Sequence, residues 1–257
     1  AQSMGADTIL ADGSLIIKLY YVADTYMLVY DKNAEDAKGS MEDVSTEAGA
    51  TLKTAENKFE RLGYSFAGWN TSADGTGISY SENANYAVVV NPEKKNVLYA
   101  QWRPDDDTMY KVEHYLITTD NTAAILKDVD ILNGTTGDRV DVSNKAKVYS
   151  GYEFSPSYDN EGMKTITSGV VAGDGSLVLK LYYQRKYTIS YKLEEGALEE
   201  GKSNPTEYYV NSENIVLNNP VRKGYTFAGW TGTGLNGAVE LVTIPKGSVG
   251  NRVYVAT

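Results

Sequence analysis

The stretch Gly63-Tyr64-Ser65-Phe66-Ala67-Gly68-Trp69 returns later in the chain as Gly224-Tyr225-Thr226-Phe227-Ala228-Gly229-Trp230. Two other stretches return at nearly the same offset. Tyr26-Met27-Leu28-Val29-Tyr30 comes back as Tyr187-Thr188-Ile189-Ser190-Tyr191, in the same register as the first. Asp12-Gly13-Ser14-Leu15-Ile16-Ile17-Lys18-Leu19-Tyr20-Tyr21 comes back as Asp174-Gly175-Ser176-Leu177-Val178-Leu179-Lys180-Leu181-Tyr182-Tyr183, a single position out of that register. The chain is therefore an array in which two kinds of unit alternate. Residues 1–22 read as the last hairpin of the first kind, 24–103 as a unit of the second kind, 109–184 as a complete first kind, and 186–257 as the second kind again. The closing Leu98-Tyr99-Ala100-Gln101-Trp102 has only Tyr254-Val255-Ala256-Thr257 as its counterpart, one residue before the Trp. The pattern reads as a piece of a longer array.

Period-two alternation places strands on these repeats. Over 176–183, Leu177, Leu179 and Leu181 point one way and Val178, Lys180 and Tyr182 the other. The preceding Gly173-Asp174-Gly175 supplies the positive φ of a hairpin turn. Strands are also expected at 110–116, 26–31, 187–192, 64–70, 225–230, 87–90 and 97–102. Leu52, Ala55 and Phe59 have helical spacing, so a short helix is expected near 54–61. Arg103-Pro104-Asp105-Asp106-Asp107-Thr108 reads as a polar linker. Only Gln184, Arg185 and Lys186 separate the last two units, so that joint should be stiff.

Composition narrows the function. The chain has 257 residues, with 24 Lys and Arg against 34 Asp and Glu, a net charge of −10. That balance argues against a nucleic-acid partner, whose phosphates are bound by Lys and Arg. No run of about 18 apolar residues is present to span a membrane. No basic-then-apolar leader opens the sequence, so the chain is read as intracellular, processed, or cut from something longer. Cysteine is absent, which removes disulfides, thiolate nucleophiles and Cys-ligated metal. The single histidine, His114, excludes a His-based metal cluster. Tyrosine is abundant, 21 copies against 4 Phe, and Tyr favours strands and interfaces. The expectation is a β-rich, extracellular-type protein with no catalytic constellation, and so not an enzyme.

The units carry two resemblances. The units at 24–103 and 186–257 resemble the Listeria–Bacteroides repeat (internalin B-repeat). The residues that carry this are Gly63–Trp69 with Leu98–Trp102, and Gly224–Trp230 with the shortened 254–257. The first copy also has the Asn70-Thr71-Ser72-Ala73-Asp74-Gly75-Thr76-Gly77 loop common to that family. The unit at 109–184 is similar to MucBP-like (mucin-binding-protein) repeats. Its carrying residues are Tyr110-Lys111-Val112-Glu113-His114-Tyr115, Gly134-Thr135-Thr136-Gly137-Asp138, Gly151-Tyr152, Ser168-Gly169 and the 174–183 hairpin. The resemblances imply a β-rich α+β architecture of tandem β-grasp (ubiquitin-like) modules in an elongated array. They also imply a place at the cell surface or cell wall of a Gram-positive or gut bacterium.

Each candidate site has a plainer alternative. His114 lies on the apolar face of a strand, with no nucleophile or orienting acid in its motif, and reads as a packed or hydrogen-bonded histidine. Gly232-Thr233-Gly234-Leu235-Asn236-Gly237 matches the dinucleotide fingerprint literally, but the following 238–242 reads as a strand, so it is a glycine loop. Asp105, Asp106 and Asp107 are a weak Ca²⁺ candidate at a joint, with consecutive rather than alternating carboxylates. Trp69 and Trp230 are candidate ligand platforms. Each stands three residues after a Phe, which puts Phe and Trp on opposite strand faces, with Phe in the core and Trp part-buried. Tyr20-Tyr21 and Tyr182-Tyr183 place one ring on each face, one in the core and the other set to pack against the next unit; as an exposed ridge it would instead contact glycans, so Tyr21 and Tyr183 join the ligand-binding candidates. Glu194, Glu195, Glu199 and Glu200 cluster in a loop and offer no cleft for paired acids. Asn70 and Asn133 match the N-glycosylation pattern without further support.

The functional expectation is a non-enzymatic adhesin segment without a cofactor, monomeric, binding host mucin glycans or an extracellular protein weakly and multivalently. Its rival is a purely structural stalk that presents a separate head domain.

Overall fold

In a computed structural model of the protein, residues 11–13 and 18–257 are described. The chain divides into two compact units, Ala1–Asp105 and Asp106–Thr257. The hairpin expected over 1–22 falls mostly outside the described residues. Lys18 to Val22 are described, exposed, and in no strand.

The first unit is built on β1 (Thr25–Asp31), β2 (Val44–Glu47), β3 (Thr51–Lys53), β4 (Tyr64–Asn70), β5 (Ser79–Tyr80), β6 (Asn85–Ala87) and β7 (Lys95–Pro104). Five strands form one sheet in the order β2-β1-β7-β4-β5, and β3 pairs with β6 alone. Alternation works as expected in β1, where Tyr26, Leu28 and Tyr30 are buried. They pack with Phe59, Trp69, Tyr86 and Leu98. No helix forms over 54–61. Asn57 binds the backbone there twice: its Oδ1 accepts from Phe59 N–H and its Nδ2 donates to the Phe59 carbonyl. Such local bonds compete with the helical ladder, and the segment instead lowers Phe59 into the core. The strand expected at 87–90 lies earlier, at β6.

The second unit opens with β8 (Thr108–Ile117) and β9 (Ala124–Gly134), an antiparallel pair. Then come β10 (Arg139–Asp141), a 3-10 turn at Ser143–Lys145, β11 (Tyr152–Phe154), β12 (Asp159–Asn160), β13 (Met163–Lys164), β14 (Ser168–Val170) and β15 (Val178–Arg185). The main sheet runs β11-β15-β8-β9. After the single residue Lys186 follow β16 (Tyr187–Lys192), β17 (Glu207–Tyr208), β18 (Ile215–Val216), β19 (Trp230–Gly232), β20 (Thr243–Ile244) and β21 (Arg252–Ala256). Their main sheet runs β17-β16-β21-β19. The strand expected at 225–230 is thus reduced to one that starts at Trp230. Among the described residues the 3-10 turn is the one helical element, so the chain is β-rich, in several small sheets.

One pairing rule recurs over 25–104, 108–185 and 187–257. The opening and closing strands lie side by side and parallel: β1 with β7, β8 with β15, and β16 with β21. A parallel pair cannot be closed by a tight turn, so the rest of each module is the crossover between its own ends.

A bulge in β4 reverses one expectation. Phe66 faces Trp102 and Gly68 faces Gln101, so Ala67 is an extra residue without a partner. Gly68 sits at φ +134°, a conformation reserved for glycine. The extra residue moves Trp69 onto the face of Phe66, and their rings meet at 4.8 Å. Gly229 has the same φ of +134°. Ala228 N–H donates to the Thr257 carbonyl at 2.8 Å and Thr257 N–H to the Gly229 carbonyl at 2.9 Å.

Candidate functional site

The aromatic ligand candidates separate by burial. Trp69 and Trp230 are 0% exposed, and Phe66 and Phe227 are the half-buried partners. This inverts the expected assignment, because the bulge carries Trp to the core side. Trp69 lies against Tyr30 at 4.7 Å and Phe59 at 6.1 Å, and its indole N–H donates to the Ala55 carbonyl at 3.0 Å. Trp230 lies against Tyr191 at 5.9 Å and Phe227 at 5.6 Å, and donates to Asn219 Oδ1 at 2.9 Å. Neither ring keeps a face for a ligand. Tyr183 is also fully buried, and Tyr182 is buried on the other side of β15 among Ile117 and Tyr158. The expectation of one outward ring therefore fails: β12 and β13 follow Tyr158 over that second face. Tyr21 is 89% exposed.

His114 marks the centre of the 108–185 module. It too is fully buried. Tyr183 Oη lies 2.8 Å from Nδ1, and Asp130 Oδ2 lies 3.2 Å from Nε2. Lys147 N–H already donates to Tyr183 Oη at 2.9 Å. The tyrosine hydrogen is then free to point at Nδ1, which leaves the histidine proton on Nε2, facing Asp130. Lys147 Nζ binds Asp130 Oδ1 at 2.6 Å, and Tyr149 donates to Asp128 Oδ2 at 2.6 Å. Burial pushes the imidazole pKa below its ordinary value, against the opposing pull of Asp130. Lys147 chiefly, with His114, holds the Asp130 carboxyl down. Both imidazole nitrogens are engaged, and neither reaches solvent. The histidine is hydrogen-bonded core, and the acids that engage it come from β9, too far along the chain for a local motif to announce.

The aspartates at 105–107 form the whole connection between β7 and β8. Asp105 is tied back into the first unit: its N–H donates to the Gly63 carbonyl at 2.9 Å, and Ser65 Oγ donates to its carboxylate at 2.5 Å. Among the described residues no cluster of three or more acid, His or Cys side chains is placed to hold a metal. The glycine loop at 232–237 leads to no helix. Gly232 is there for space, since a Cβ would stand 2.1 Å from the Val253 carbonyl oxygen.

The joint at Lys186 is chemically specified. Its ammonium binds Glu153 of β11 at 3.3 Å and Glu207 of β17 at 3.0 Å, and its N–H donates to the Gly151 carbonyl at 3.0 Å. Tyr209 donates to Glu153 at 2.6 Å. That bond, with Lys186, lowers the Glu153 pKa, while burial and Glu153 raise the Tyr209 pKa.

A cleft of about 280 Å³ opens beside β21. Leu193, Pro220, Val221, Phe227 and Ala256 form its apolar lining. At its rim Arg222 lies over the Tyr225 ring at 4.0 Å, as Arg61 lies over Tyr64 at 3.7 Å. No motif in the sequence announces this cleft.

The paired motifs and matching bulges state that 25–104 and 187–257 are copies of one structural unit. A family model, the Listeria-Bacteroides repeat domain, matches residues 26–109 and 187–243, more than half of the chain. The chain belongs to the Listeria-Bacteroides repeat family. Repeats of this family occur in bacterial surface proteins. No curated protein matches the chain. The two matches differ in reach. The first runs past β7, whereas the second stops at 243, before β21.

Proposed function

We propose that the chain is a non-enzymatic, load-bearing spacer segment of a bacterial cell-surface protein. In this reading 108–185 is a MucBP-like module between two Listeria-Bacteroides repeats, and all three modules are β-grasp-like. The observation that carries it is the parallel pairing of each module's opening and closing strands. In such a pair the chain enters at one end of the ladder and leaves at the other. A pull along the array loads all the ladder hydrogen bonds together, in shear, rather than peeling them one at a time. The burial of Trp69, Trp230 and Tyr183 supports the same reading, since the motif aromatics are spent on cores.

Single-molecule pulling tests the proposal. Pulled through its two ends, each module should rupture separately and at higher force than when it is gripped so that the parallel pair peels. Equal forces in the two geometries would sink the load-bearing reading. The same chain, exposed to mucins, mucin-type glycans and matrix proteins, should show no saturable binding. Saturable binding would replace the spacer by the adhesin.

A further inference from the structure

The chain holds the Asn-Gly dipeptide twice, at Asn133-Gly134 and at Asn236-Gly237. An asparagine before glycine is open to attack by its own backbone. The next amide nitrogen reaches the side-chain carbonyl carbon, and glycine has no side chain to stand in the way. The attack needs that nitrogen free of a backbone hydrogen bond and a main chain able to turn, so the fold decides which copy reacts.

The two copies lie in opposite surroundings. Asn133 and Gly134 belong to β9, opposite Met109 and Thr108 of β8. The Lys111 N–H points to β15, where it donates to the Leu177 carbonyl at 3.0 Å. Alternation along β8 therefore turns Thr108 toward β9, and its main-chain groups engage those of Gly134. Gly134 is also packed, since a Cβ there would stand 3.0 Å from the Val171 side chain. Asn236 and Gly237 are exposed, in the connection between β19 and β20. Gly237 sits at φ +113°, with nothing within 4 Å of where its Cβ would be. Among the described residues no hydrogen bond holds its N–H.

We propose that Asn236 is a self-modifying site, which converts to aspartate and isoaspartate in the folded protein while Asn133 is preserved. The Gly237 nitrogen bonds to Asn236 Cγ, the Cγ–Nδ2 bond breaks, and ammonia leaves with the amide proton. Water then opens the cyclic imide at one carbonyl or the other. Either product adds a carboxylate, and isoaspartate also adds a methylene to the main chain. Both changes fall just before Val239, whose N–H and C=O each bond Trp230 at 2.9 Å. The altered chain thus leads directly into the bridge that holds the strand of the buried indole. The site does not depend on the spacer reading.

The test incubates the full chain at neutral pH and follows both sites by peptide mapping, with enzymatic methylation of isoaspartate located on the same peptides. Conversion at 236 should outpace conversion at 133 by at least about tenfold, because β9 must open before Asn133 can react. In guanidinium, where the chain is unfolded, the two sites should convert at similar rates. Asn236→Gln, which closes only a larger and slower ring, should remove the methyl label from the peptide that carries residue 236. Equal rates at the two sites in the folded chain would overturn the proposal, as would a label that survives Asn236→Gln. A gap of the same size in guanidinium would assign the difference to local sequence and overturn it too.

Discussion

The first and second Listeria-Bacteroides repeats share a motif, a bulge and a parallel central pair, yet the shared motif is strand to a different extent in each. In 25–104 the closing strand runs to Pro104, and β4 is paired from Tyr64 to Asn70 on both sides of the bulge at Ala67. In 187–257 the closing strand spans Arg252–Ala256, and the matching strand begins only at Trp230. The same Gly-Tyr-x-Phe-Ala-Gly-Trp sequence is therefore strand in one copy and mostly irregular edge in the other. What a strand sequence becomes depends on whether a partner lies beside it, because the ladder's donors and acceptors must be matched. The buried indoles make the same point. Trp69 relies on a backbone carbonyl, and Trp230 on the side chain of Asn219.

Substitution of the core indoles should have the largest effects. Trp69→Ala and Trp230→Ala should each cost about 3–5 kcal/mol. Trp69 should cost more, since Tyr30, Phe59 and Phe66 surround it. Denaturant unfolding followed by a probe within each repeat reads this, and equal losses would weaken the comparison.

The bulge glycines come next. Gly68→Ala and Gly229→Ala both force a side chain into a glycine conformation, at about 1–3 kcal/mol. A Cβ on Gly229 would stand 2.6 Å from Val239 N, whereas one on Gly68 would stand 3.0 Å from the Tyr80 oxygen. The second repeat should therefore lose more stability, and the opposite order in melting temperature would contradict the steric account.

The indole acceptors separate the copies most sharply. Asn219→Leu leaves the Trp230 N–H buried without a partner and should cost about 1–3 kcal/mol. Its counterpart in the first repeat, Lys58, is exposed, and Lys58→Leu should change stability by no more than about 0.5 kcal/mol. A similar cost at both positions would show that the two repeats anchor their indoles alike.

The 108–185 module extends the comparison, since its centre is Tyr183 with His114 rather than a tryptophan. The His114 pKa is lowered in the fold from 6.5. As pH falls below that value the unfolded chain binds the proton first. Stability is therefore full above it and declines below it, by up to one proton per molecule in slope, until the folded-state value is reached. The loss of the Asp130 contribution follows lower, in the carboxylate range. As pH falls below the ordinary histidine value the 108–185 module should weaken while both repeats hold, and His114→Gln should flatten that decline. Module-resolved hydrogen exchange against pH decides it.

Much of this was legible in the residues. The repeat offset located the modules, and alternation placed β1, β8, β15 and β16 to within a few residues, because a half-buried strand must alternate. Alternation failed where one residue broke the period. Phe66 and Trp69, three apart, belong on opposite faces of a regular strand, and the extra Ala67 brings them together. It failed again where distant chain covered a face, as over Tyr182, and where Asn57 turned helical spacing into a loop.

The sequence by itself determined that the protein is β-rich and carries two copies of one repeat, because period and offset are properties of the string. Tertiary structure alone decided which aromatics are core and that His114 joins Asp130 and Tyr183. Those outcomes depend on which strands end up adjacent, and adjacency between residues far apart in the chain is set by packing.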